Sequence, residues 1–354
     1  MKIGLPREVM YGEGRVALVP DACAKLTAAG YEVFAETGTG LGSGYSDEEY
    51  ARAGVQLVDN MEQLFAAAEL IVKVKQPLEQ GLRYLTHKHC VFSFLHLAPQ
   101  PELTRELCEI GLTAIAFESV VAADGARPLL APMSAIAGRL SIISGANYLF
   151  QNNGGRGVLL GGLESTDDGN VVVLGAGEAG THAIATATSL GAHVTVFDLN
   201  QQRLDQVSSL YQCETALSND EAVANAVKTA DIVVGAVMLA GRRAPIVVLE
   251  SMVSSMQAGS VIVDIAIDQG GCVENIKTSS YAQPVYTHHD VTHFAVPNMP
   301  GAVPRTASQA LSSAVLPYVF ELLETGIDSG ALKSAIAVRD GDVVDPVLRE
   351  EQGL

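Results

Sequence analysis

Three glycines near the middle of the chain have the spacing of a phosphate-binding turn. An apolar, β-branched run at 171–174 leads into Gly175, Gly177 and Gly180, and the next apolar run ends in Asp198. The first glycine permits a tight turn, the second lets the backbone approach a pyrophosphate, and the third lets the following helix pack closely on the strand. Alone, the triplet would mark only a tight strand-to-helix turn. With the helix, the second strand and its acid, it predicts a dinucleotide site at a helix N-terminus.

Four ionisable residues follow predicted strands, which is where ligands bind in open α/β sheets. Arg15 lies in a glycine-containing loop after the first strand, Lys75 and His96 each end a later one, and Asp268 follows a strand beyond the glycine motif. Each has a structural alternative, as a surface charge, a solvated imidazole or a helix cap. Together, two cations, an imidazole and a carboxylate suit a small carboxylate substrate whose carbonyl or amine exchanges a proton.

Hydride transfer between such a substrate and a nicotinamide needs few other groups. The protein must hold the C–H bond against the ring, neutralise the carboxylate and move one proton at the heteroatom. Histidine suits the last task because an imidazole ordinarily titrates near neutral pH. Asp198 is expected to accept the ribose hydroxyls of NAD and to repel the 2′-phosphate of NADP. Arg203, five residues further on, would partly accommodate that phosphate.

A group of histidines near the end of the second half resembles a metal site. His288, His289, Asp290 and His293 lie close together, and two of the histidines are four residues apart. No H-E-x-x-H arrangement is present, however, and residues 286–296 have the pattern of a strand rather than a helix. We therefore predict loop histidines near a domain junction and no bound metal.

The elements that must position these residues follow an α/β rhythm. Short apolar runs alternate with helical segments, which predicts doubly wound parallel sheets. The predicted strands are 3–5, 31–35, 70–74, 91–95, 113–117, 171–174, 193–197, 231–237 and 261–266, and the predicted helices include 131–151 and 310–323. We expect two Rossmann-like domains with an active-site cleft between them, and an acidic surface tail over the last fifteen residues.

The domains are expected to be discontinuous. A complete α/β unit precedes the glycine motif, and the helix at 310–323 would pack back on it. The prediction is a substrate domain at 1–130 plus 305–354 and a nucleotide-binding domain at 131–304, in keeping with a length of 354 residues.

Composition excludes several classes of protein. The net charge of −18 argues against a nucleic-acid partner, which requires clustered Lys and Arg. The sequence predicts no membrane span and no secretory signal, so we expect a cytoplasmic protein. Five scattered cysteines predict free thiols rather than disulfides or a metal site.

Taken together, the motifs resemble those of bacterial alanine dehydrogenases. Six segments in order along nearly the whole chain carry the resemblance, in addition to the glycine motif: 15–20, 70–77, 94–98, 131–138, 264–271 and 298–304. The resemblance implies an NAD-dependent enzyme that reversibly converts L-alanine to pyruvate and ammonium, in a homohexamer. It also implies that Arg15 and Lys75 bind substrate and that His96 and Asp268 are the catalytic pair.

The resemblance further implies a cofactor site. Beside the three glycines, Asp198 and Asp268, its residues are Ser134, Arg203, Ser218, Val237, Met238, Ile265, Lys277, Val296, Asn298 and Met299. Spacing alone places Arg203 and Lys277, and the segment around Ser218 resembles the family weakly.

Two alternatives share the same pattern. One is the soluble NAD-binding subunit of a proton-translocating transhydrogenase, which would need no carboxylate-binding cations and would normally act beside membrane segments. The other is a regulator that senses NAD(H) without turnover, because a fold does not determine a function. A sensor would have no reason to place Lys75, His96 and Asp268 at strand ends.

Overall fold

The computed structural model describes residues 1–238, 243–328 and 330–354. The chain divides into two compact units, one formed by Met1–Met133 with Gly301–Leu354 and the other by Ser134–Pro300. We call them unit 1 and unit 2. The boundaries expected from the sequence, at 130/131 and 304/305, lie within four residues of these.

The strands and helices are numbered in chain order. The strands are β1 (Ile3–Leu5), β2 (Val33–Glu36), β3 (Gln56–Val58), β4 (Leu70–Val72), β5 (Cys90–Ser93), β6 (Thr113–Ala116), β7 (Asn170–Leu174), β8 (His193–Asp198), β9 (Glu214–Leu217), β10 (Ile232–Gly235), β11 (Val261–Asp264), β12 (Val285–His288), β13 (Val291–Phe294), β14 (Ile336–Arg339) and β15 (Asp342–Val343). The helices are α1 (Pro20–Ala28), α2 (Asp47–Arg52), α3 (Met61–Ala67), α4 (Glu79–Leu82), α5 (Pro101–Ile110), α6 (Ala131–Tyr148), α7 (Glu178–Ser189), α8 (Gln201–Leu210), α9 (Asp220–Val227), α10 (Glu250–Val253), α11 (Pro304–Thr325) and α12 (Pro346–Gln352). Within the described ranges, no helix is both long enough and apolar enough to cross a bilayer.

Each unit contains one mostly parallel sheet. In unit 1 the order is β15-β14-β6-β5-β4-β1-β2-β3, with β14 and β15 antiparallel at one end. In unit 2 the order is β12-β13-β11-β10-β7-β8-β9, with β12 antiparallel at the edge. The direction of winding reverses between β1 and β4 in unit 1, and between β7 and β10 in unit 2. Ligands of doubly wound sheets bind at such switch points, beyond the carboxyl ends of the strands. The predicted α/β class is confirmed.

The runs of valine and isoleucine explain the central strands of unit 2. Alternate side chains of a strand point to opposite faces of its sheet. Val171 and Val173 of β7 therefore pack in one apolar cluster, and Val172 and Leu174 pack in another on the opposite face. Because helices cover both faces, a continuous apolar run forms this strand better than an alternating pattern would.

Helix α11 fixes the loop that carries Arg15. The helix begins with Pro304, whose φ is already helical and whose missing N–H is no loss at that position. The Ser308 hydroxyl accepts a hydrogen bond from the Val16 N–H (2.9 Å), and the Ser312 hydroxyl accepts one from the Val19 N–H (3.0 Å). The segment after Arg15 is therefore held by buried polar contacts with α11.

One expectation about a chain segment was wrong, and another was confirmed. The last fifteen residues form no surface tail, because Val343 and Leu348 are buried and the Gln352 amide donates to the Leu97 carbonyl (2.8 Å). The segment 286–296 is extended rather than helical, as expected, and it lies in the hairpin of β12 and β13. In the last fifteen residues, exposed acidic residues conceal the few apolar residues that are buried. In the hairpin, the turn contains no glycine that would mark it in the sequence.

The hairpin turn places its histidines differently. His288 ends β12, whereas His289 (φ 51°) lies in the turn with left-handed backbone. His293 on β13 is only 2% exposed and stacks on the Tyr286 ring at a centroid distance of 5.0 Å. Burial, assisted by the nearby imidazoles of His288 and His289, lowers the pKa of His293 to about 4, so it stays neutral at physiological pH.

Candidate active and cofactor-binding sites

The three glycines of the motif have different surroundings. Gly175 has φ 103°, which favours glycine, and a methyl group there would lie 2.5 Å from the Ala236 carbonyl oxygen. A methyl group on Gly180 would overlap the Gly175 carbonyl oxygen, so α7 packs directly on the turn. A methyl group on Gly177 would have no atom of the chain within 4 Å. That open space, at the N-terminus of α7, fits a pyrophosphate approaching the backbone.

This arrangement predicts opposite results for two alanine substitutions. Gly177→Ala should leave the free energy of unfolding within about 1 kcal/mol of the wild type, yet weaken NADH binding at least ~10-fold, because the new methyl group occupies the pyrophosphate space. Gly180→Ala should destabilise the fold by about 1–3 kcal/mol, because the helix must move away from the turn. Thermal melts and NADH fluorescence titrations of both variants test this. Wild-type NADH affinity in Gly177→Ala would place the pyrophosphate elsewhere.

Asp198, Arg203 and Ser218 lie together at the end of β8. One carboxylate oxygen of Asp198 accepts from the Ala176 N–H (2.7 Å) and the other from the Asn200 N–H (2.8 Å). The exposed Arg203 guanidinium lies 4.0 Å from the carboxylate, and the Ser218 N–H donates to the Asp198 carbonyl (3.0 Å). Because a carboxylate offers about four lone-pair sites, ribose hydroxyls can be accepted as well.

The other predicted cofactor residues differ in exposure. Val296 and Met299 are 2% and 3% exposed and their side chains belong to an apolar core, so only their backbone can meet a ligand. Val237 and Met238 follow β10, beside the glycine turn. The partly or fully exposed members are Ser134, Val237, Met238, Ile265, Lys277 and Asn298. The Lys277 N–H donates to the Tyr286 hydroxyl (2.8 Å).

Asp268 is exposed and supports a neighbour with left-handed backbone. It lies in a 3₁₀ turn after β11, and its carboxylate oxygens accept from the Asn298 N–H at 3.1 and 3.3 Å. Asn298 has left-handed backbone, with φ 58°. Nearby, the Tyr281 hydroxyl donates to the Met299 carbonyl (3.1 Å), and burial, with a smaller contribution from the Asp268 charge, raises the pKa of Tyr281 to about 12. The carboxylate of Asp268, a predicted catalytic residue, is thus hydrogen-bonded to the predicted cofactor segment 296–299.

In unit 1, the loop that carries Lys75 is anchored by a buried ion pair. Lys73 Nζ lies 2.8 Å from a Glu8 carboxylate oxygen and also donates to the Lys75 carbonyl (2.7 Å). The other oxygen of Glu8 accepts from the Val74 N–H (2.6 Å). Glu8 follows β1 and Lys75 follows β4, so these contacts connect the two sides of the switch point. The half-buried Lys75 is presented there on a fixed backbone.

His96 also stands on a constrained backbone. Its φ is 46°, and its N–H donates to the Glu118 carboxylate (2.6 Å), which also accepts from the Leu95 N–H (3.2 Å). The imidazole stacks on the Phe94 ring (5.7 Å, 4°) and is 44% exposed on its side chain. Glu118 follows β6, the neighbour of β5, so two adjacent strand ends fix the imidazole. A solvent-facing ring on a rigid support suits proton transfer.

The Arg15 guanidinium is paired with a neighbouring carboxylate. Its Nε and Nη2 bond the Glu13 carboxylate at 2.7 and 2.5 Å, and both side chains are buried, at 2% and 0% exposed. Nη1 lies 3.2 Å from the Met133 sulfur. Two nitrogens of the guanidinium thus hold the Glu13 carboxylate.

Sequence reasoning missed the carboxylates that hold these residues. Glu8, Glu13 and Glu118 are buried or half-buried partners of the predicted site, and Asp264 accepts from the Cys272 N–H (2.8 Å). Burial raises the pKa of Asp264, against the lowering effect of its hydrogen bonds to Cys272. The one sequence signal for such a partner is an acidic residue close to a basic one, as with Glu13 and Arg15.

Comparison with known proteins identifies the family. The family model described as "Alanine dehydrogenase/PNT, N-terminal domain" matches residues 4–137, and "Alanine dehydrogenase/PNT, C-terminal domain" matches residues 141–346. The chain belongs to the alanine dehydrogenase/PNT family.

Individual family members narrow the comparison. The alanine dehydrogenase of Mycobacterium tuberculosis is 44% identical over 361 residues, which covers 100% of this chain and 97% of the relative. A solved L-alanine dehydrogenase structure superposes with a TM-score of 0.95 at 44% identity, covering 100% and 99% of the two chains. A transhydrogenase structure from Sinorhizobium meliloti gives a TM-score of 0.85 at 27% identity, covering 98% and 99%. Within the family, the chain is more similar to these alanine dehydrogenases than to this transhydrogenase.

Proposed function

We propose that this chain catalyses the reversible oxidative deamination of L-alanine to pyruvate and ammonium, with NAD as the oxidant. The observation that carries the proposal is the 44% identity to an alanine dehydrogenase over the whole chain. Lys75 and His96, at neighbouring strand ends of unit 1, support it as a carboxylate-binding cation and a proton-transfer group. NAD is supported by two features of unit 2. The open space beside Gly177 matches a pyrophosphate, and the Asp198 carboxylate matches the hydroxyls of a ribose.

The reaction requires more than one proton transfer. When bound, NAD would accept the hydride from the alanine Cα. The alanine ammonium must first release a proton, because the nitrogen lone pair forms the iminium as the hydride leaves. Water then attacks the iminium carbon, and the carbinolamine expels its protonated amine as ammonia. The hydroxyl proton of the carbinolamine passes to that ammonia, which yields pyruvate and ammonium. His96 would take the proton from that water and return one to the leaving amine. Asp268 would contribute negative charge that stabilises a cationic iminium.

Lys75 and Arg15 would bind the substrate carboxylate. A charge-assisted hydrogen bond contributes about 1.5–3 kcal/mol. Lys75 would act as a point charge on the fixed loop after β4, and Arg15, held by Glu13, would supply a second positive charge. We also propose, from the family resemblance, a cytoplasmic homohexamer.

The test is an absorbance assay at the NADH band in both directions. We expect activity with alanine plus NAD, and with pyruvate plus ammonium plus NADH. Each extra methylene in a tight pocket costs about 1–3 kcal/mol, so alanine should exceed 2-aminobutyrate, valine and glutamate. Preferred activity on glutamate would contradict the substrate assignment. Hydride exchange between nucleotides without any amino acid would favour the transhydrogenase alternative, and nucleotide binding without turnover would favour a sensor.

A preference for NAD over NADP is also expected. Asp198 would repel a 2′-phosphate, which should favour NAD by ~100-fold or more in kcat/KM, or about 2.7 kcal/mol. Asp198→Asn keeps an acceptor for the Ala176 N–H but removes the negative charge. It should therefore lower the ratio of kcat/KM with NAD to kcat/KM with NADP. Arg203→Ala is the matched control: it removes the cation 4.0 Å away and should lower residual NADP use with little change for NAD. Equal use of both cofactors by the wild type would contradict the role of Asp198.

A further inference from the structure

Two imidazoles and a carboxylate converge at the end of the β12–β13 hairpin. His288 Nε2 and His289 Nε2 each lie 3.1 Å from the same Glu250 carboxylate oxygen, Oε1. The three ligand atoms all lie within 4.8 Å of one another. Glu250 begins α10 and is 38 residues from His288 in sequence, so no local motif announces the group. This trio lies entirely within unit 2.

We propose that His288, His289 and Glu250 bind a divalent transition-metal ion of the zinc class. An ion bound at 2.0–2.1 Å to two ligands at the tetrahedral angle needs those atoms roughly 3.3 Å apart, close to both nitrogen–oxygen distances here. Imidazole nitrogens with one carboxylate oxygen are a ligand set typical of zinc and nickel rather than magnesium or calcium. Each neutral imidazole presents its Nε2 lone pair when its proton resides on Nδ1.

The surroundings of the trio suit an ion. Asn275 donates its amide to Oε2 of Glu250, which orients the carboxylate and leaves Oε1 towards the imidazoles. The Glu250 N–H donates to the Glu274 carboxylate (2.8 Å), which fixes the start of α10. The side chains of the trio are 38–44% exposed, so an ion has an entry path and a water can complete its coordination.

The trio is remote from the proposed chemistry within unit 2. β13 begins at Val291 and runs parallel to β11, so the turn before it lies at the amino edge of the sheet. The Gly259 N–H, just before β11, donates to the Asp290 carbonyl in this turn (2.8 Å). The glycine turn lies at the opposite, carboxyl edge. The ion would therefore join α10 to the hairpin and stabilise unit 2, without taking part in the reaction.

The experiment uses the full chain after removal of metals with EDTA. Zn²⁺ is titrated calorimetrically and Co²⁺ by its visible spectrum, and thermal melts are recorded with and without Zn²⁺. We expect one ion per chain at this site, a higher melting temperature with Zn²⁺, and a cobalt spectrum without thiolate character. The last readout separates this site from Cys108 and Cys213, the partly exposed free thiols among the described residues.

Variants identify the ligands. Loss of a residue that hydrogen-bonds a metal ligand weakens metal binding by about 10–100-fold, and we expect that loss of Zn²⁺ affinity in Asn275→Gly. Glu250→Gln removes a ligand itself and should weaken Zn²⁺ binding at least ~100-fold. Glycine tolerates the left-handed backbone of Asn275 (φ 59°). His289→Asn likewise keeps its backbone and serves if Glu250→Gln misfolds.

His193→Ala is the matched control. It removes an exposed histidine of unit 2 that faces a single carboxylate, Glu214 at 3.7 Å, and it should leave Zn²⁺ affinity unchanged. Undiminished Zn²⁺ binding in Glu250→Gln and His289→Asn, or an equal loss in His193→Ala, would overturn the proposal. So would a wild-type chain that binds no Zn²⁺, since the trio would then be only a hydrogen-bonded cluster.

Discussion

Replacing His96 by asparagine is expected to lower kcat for alanine oxidation by ~100-fold or more, while NADH still binds. A positioned proton-transfer group typically contributes a factor of this size. Asparagine is chosen because it tolerates left-handed backbone, which His96 adopts with φ 46°. Steady-state kinetics in both directions and an NADH titration measure the effect. The melting temperature should stay close to that of the wild type.

Glu118→Gln provides the companion measurement. Its amide oxygen can still accept from one of the Leu95 and His96 N–H groups, so the imidazole should lose part of its support but none of its chemistry. We expect a smaller fall in kcat than in His96→Asn, and kcat should vary with pH as it does in the wild type. Near-normal turnover in a folded His96→Asn variant would remove this residue from the mechanism.

Arg15→Met is expected to destabilise the protein by about 3–5 kcal/mol. The Glu13 carboxylate would lose its buried counter-charge, and breaking a buried ion pair from one side carries a cost of this order. Turnover of alanine should fall at least ~10-fold as well, because the substrate carboxylate would lose a charge-assisted contact. Thermal or urea unfolding and kcat/KM for alanine are the two measurements.

The double variant Arg15→Met with Glu13→Leu separates the two effects. Apolar residues of similar volume commonly replace a buried ion pair at little cost, so stability should return. If Arg15 binds the substrate, kcat/KM for alanine should remain low. A double variant with both wild-type stability and wild-type activity would show that the buried pair serves only the fold.

The local parts of the nucleotide unit could be predicted from the sequence. Gly175, Gly177 and Gly180 act through their own backbone and immediate neighbours, so their spacing carries the information. β1 was predicted with its observed bounds, and β7 and β8 to within one residue, because their apolar runs are bounded by turn residues. The position of Asp198 at the end of β8 was predicted for the same reason.

The partners of the site residues could not be predicted. Lys73 and Lys75 look alike in sequence, and only Glu8, more than sixty residues earlier, makes Lys73 the buried structural member. Glu118 and Glu250 are likewise brought to their histidines by strand order and not by spacing. Arg15 was predicted as a substrate-binding cation, and its bidentate contact with the Glu13 carboxylate was not predicted. That contact forms because a buried guanidinium must be paired where it lies.

The discontinuity of unit 1 has a consequence for biosynthesis. Residues Met1–Met133 leave the ribosome first, but β14, which pairs with the outer edge of β6, belongs to the segment Gly301–Leu354. At about 5–20 residues per second, synthesis of the intervening unit lasts roughly 10–30 s. Throughout that interval β6 presents an unpaired edge of the kind that templates aggregation. The contiguous unit 2 can close first, and the edge of β6 is covered only after β14 emerges.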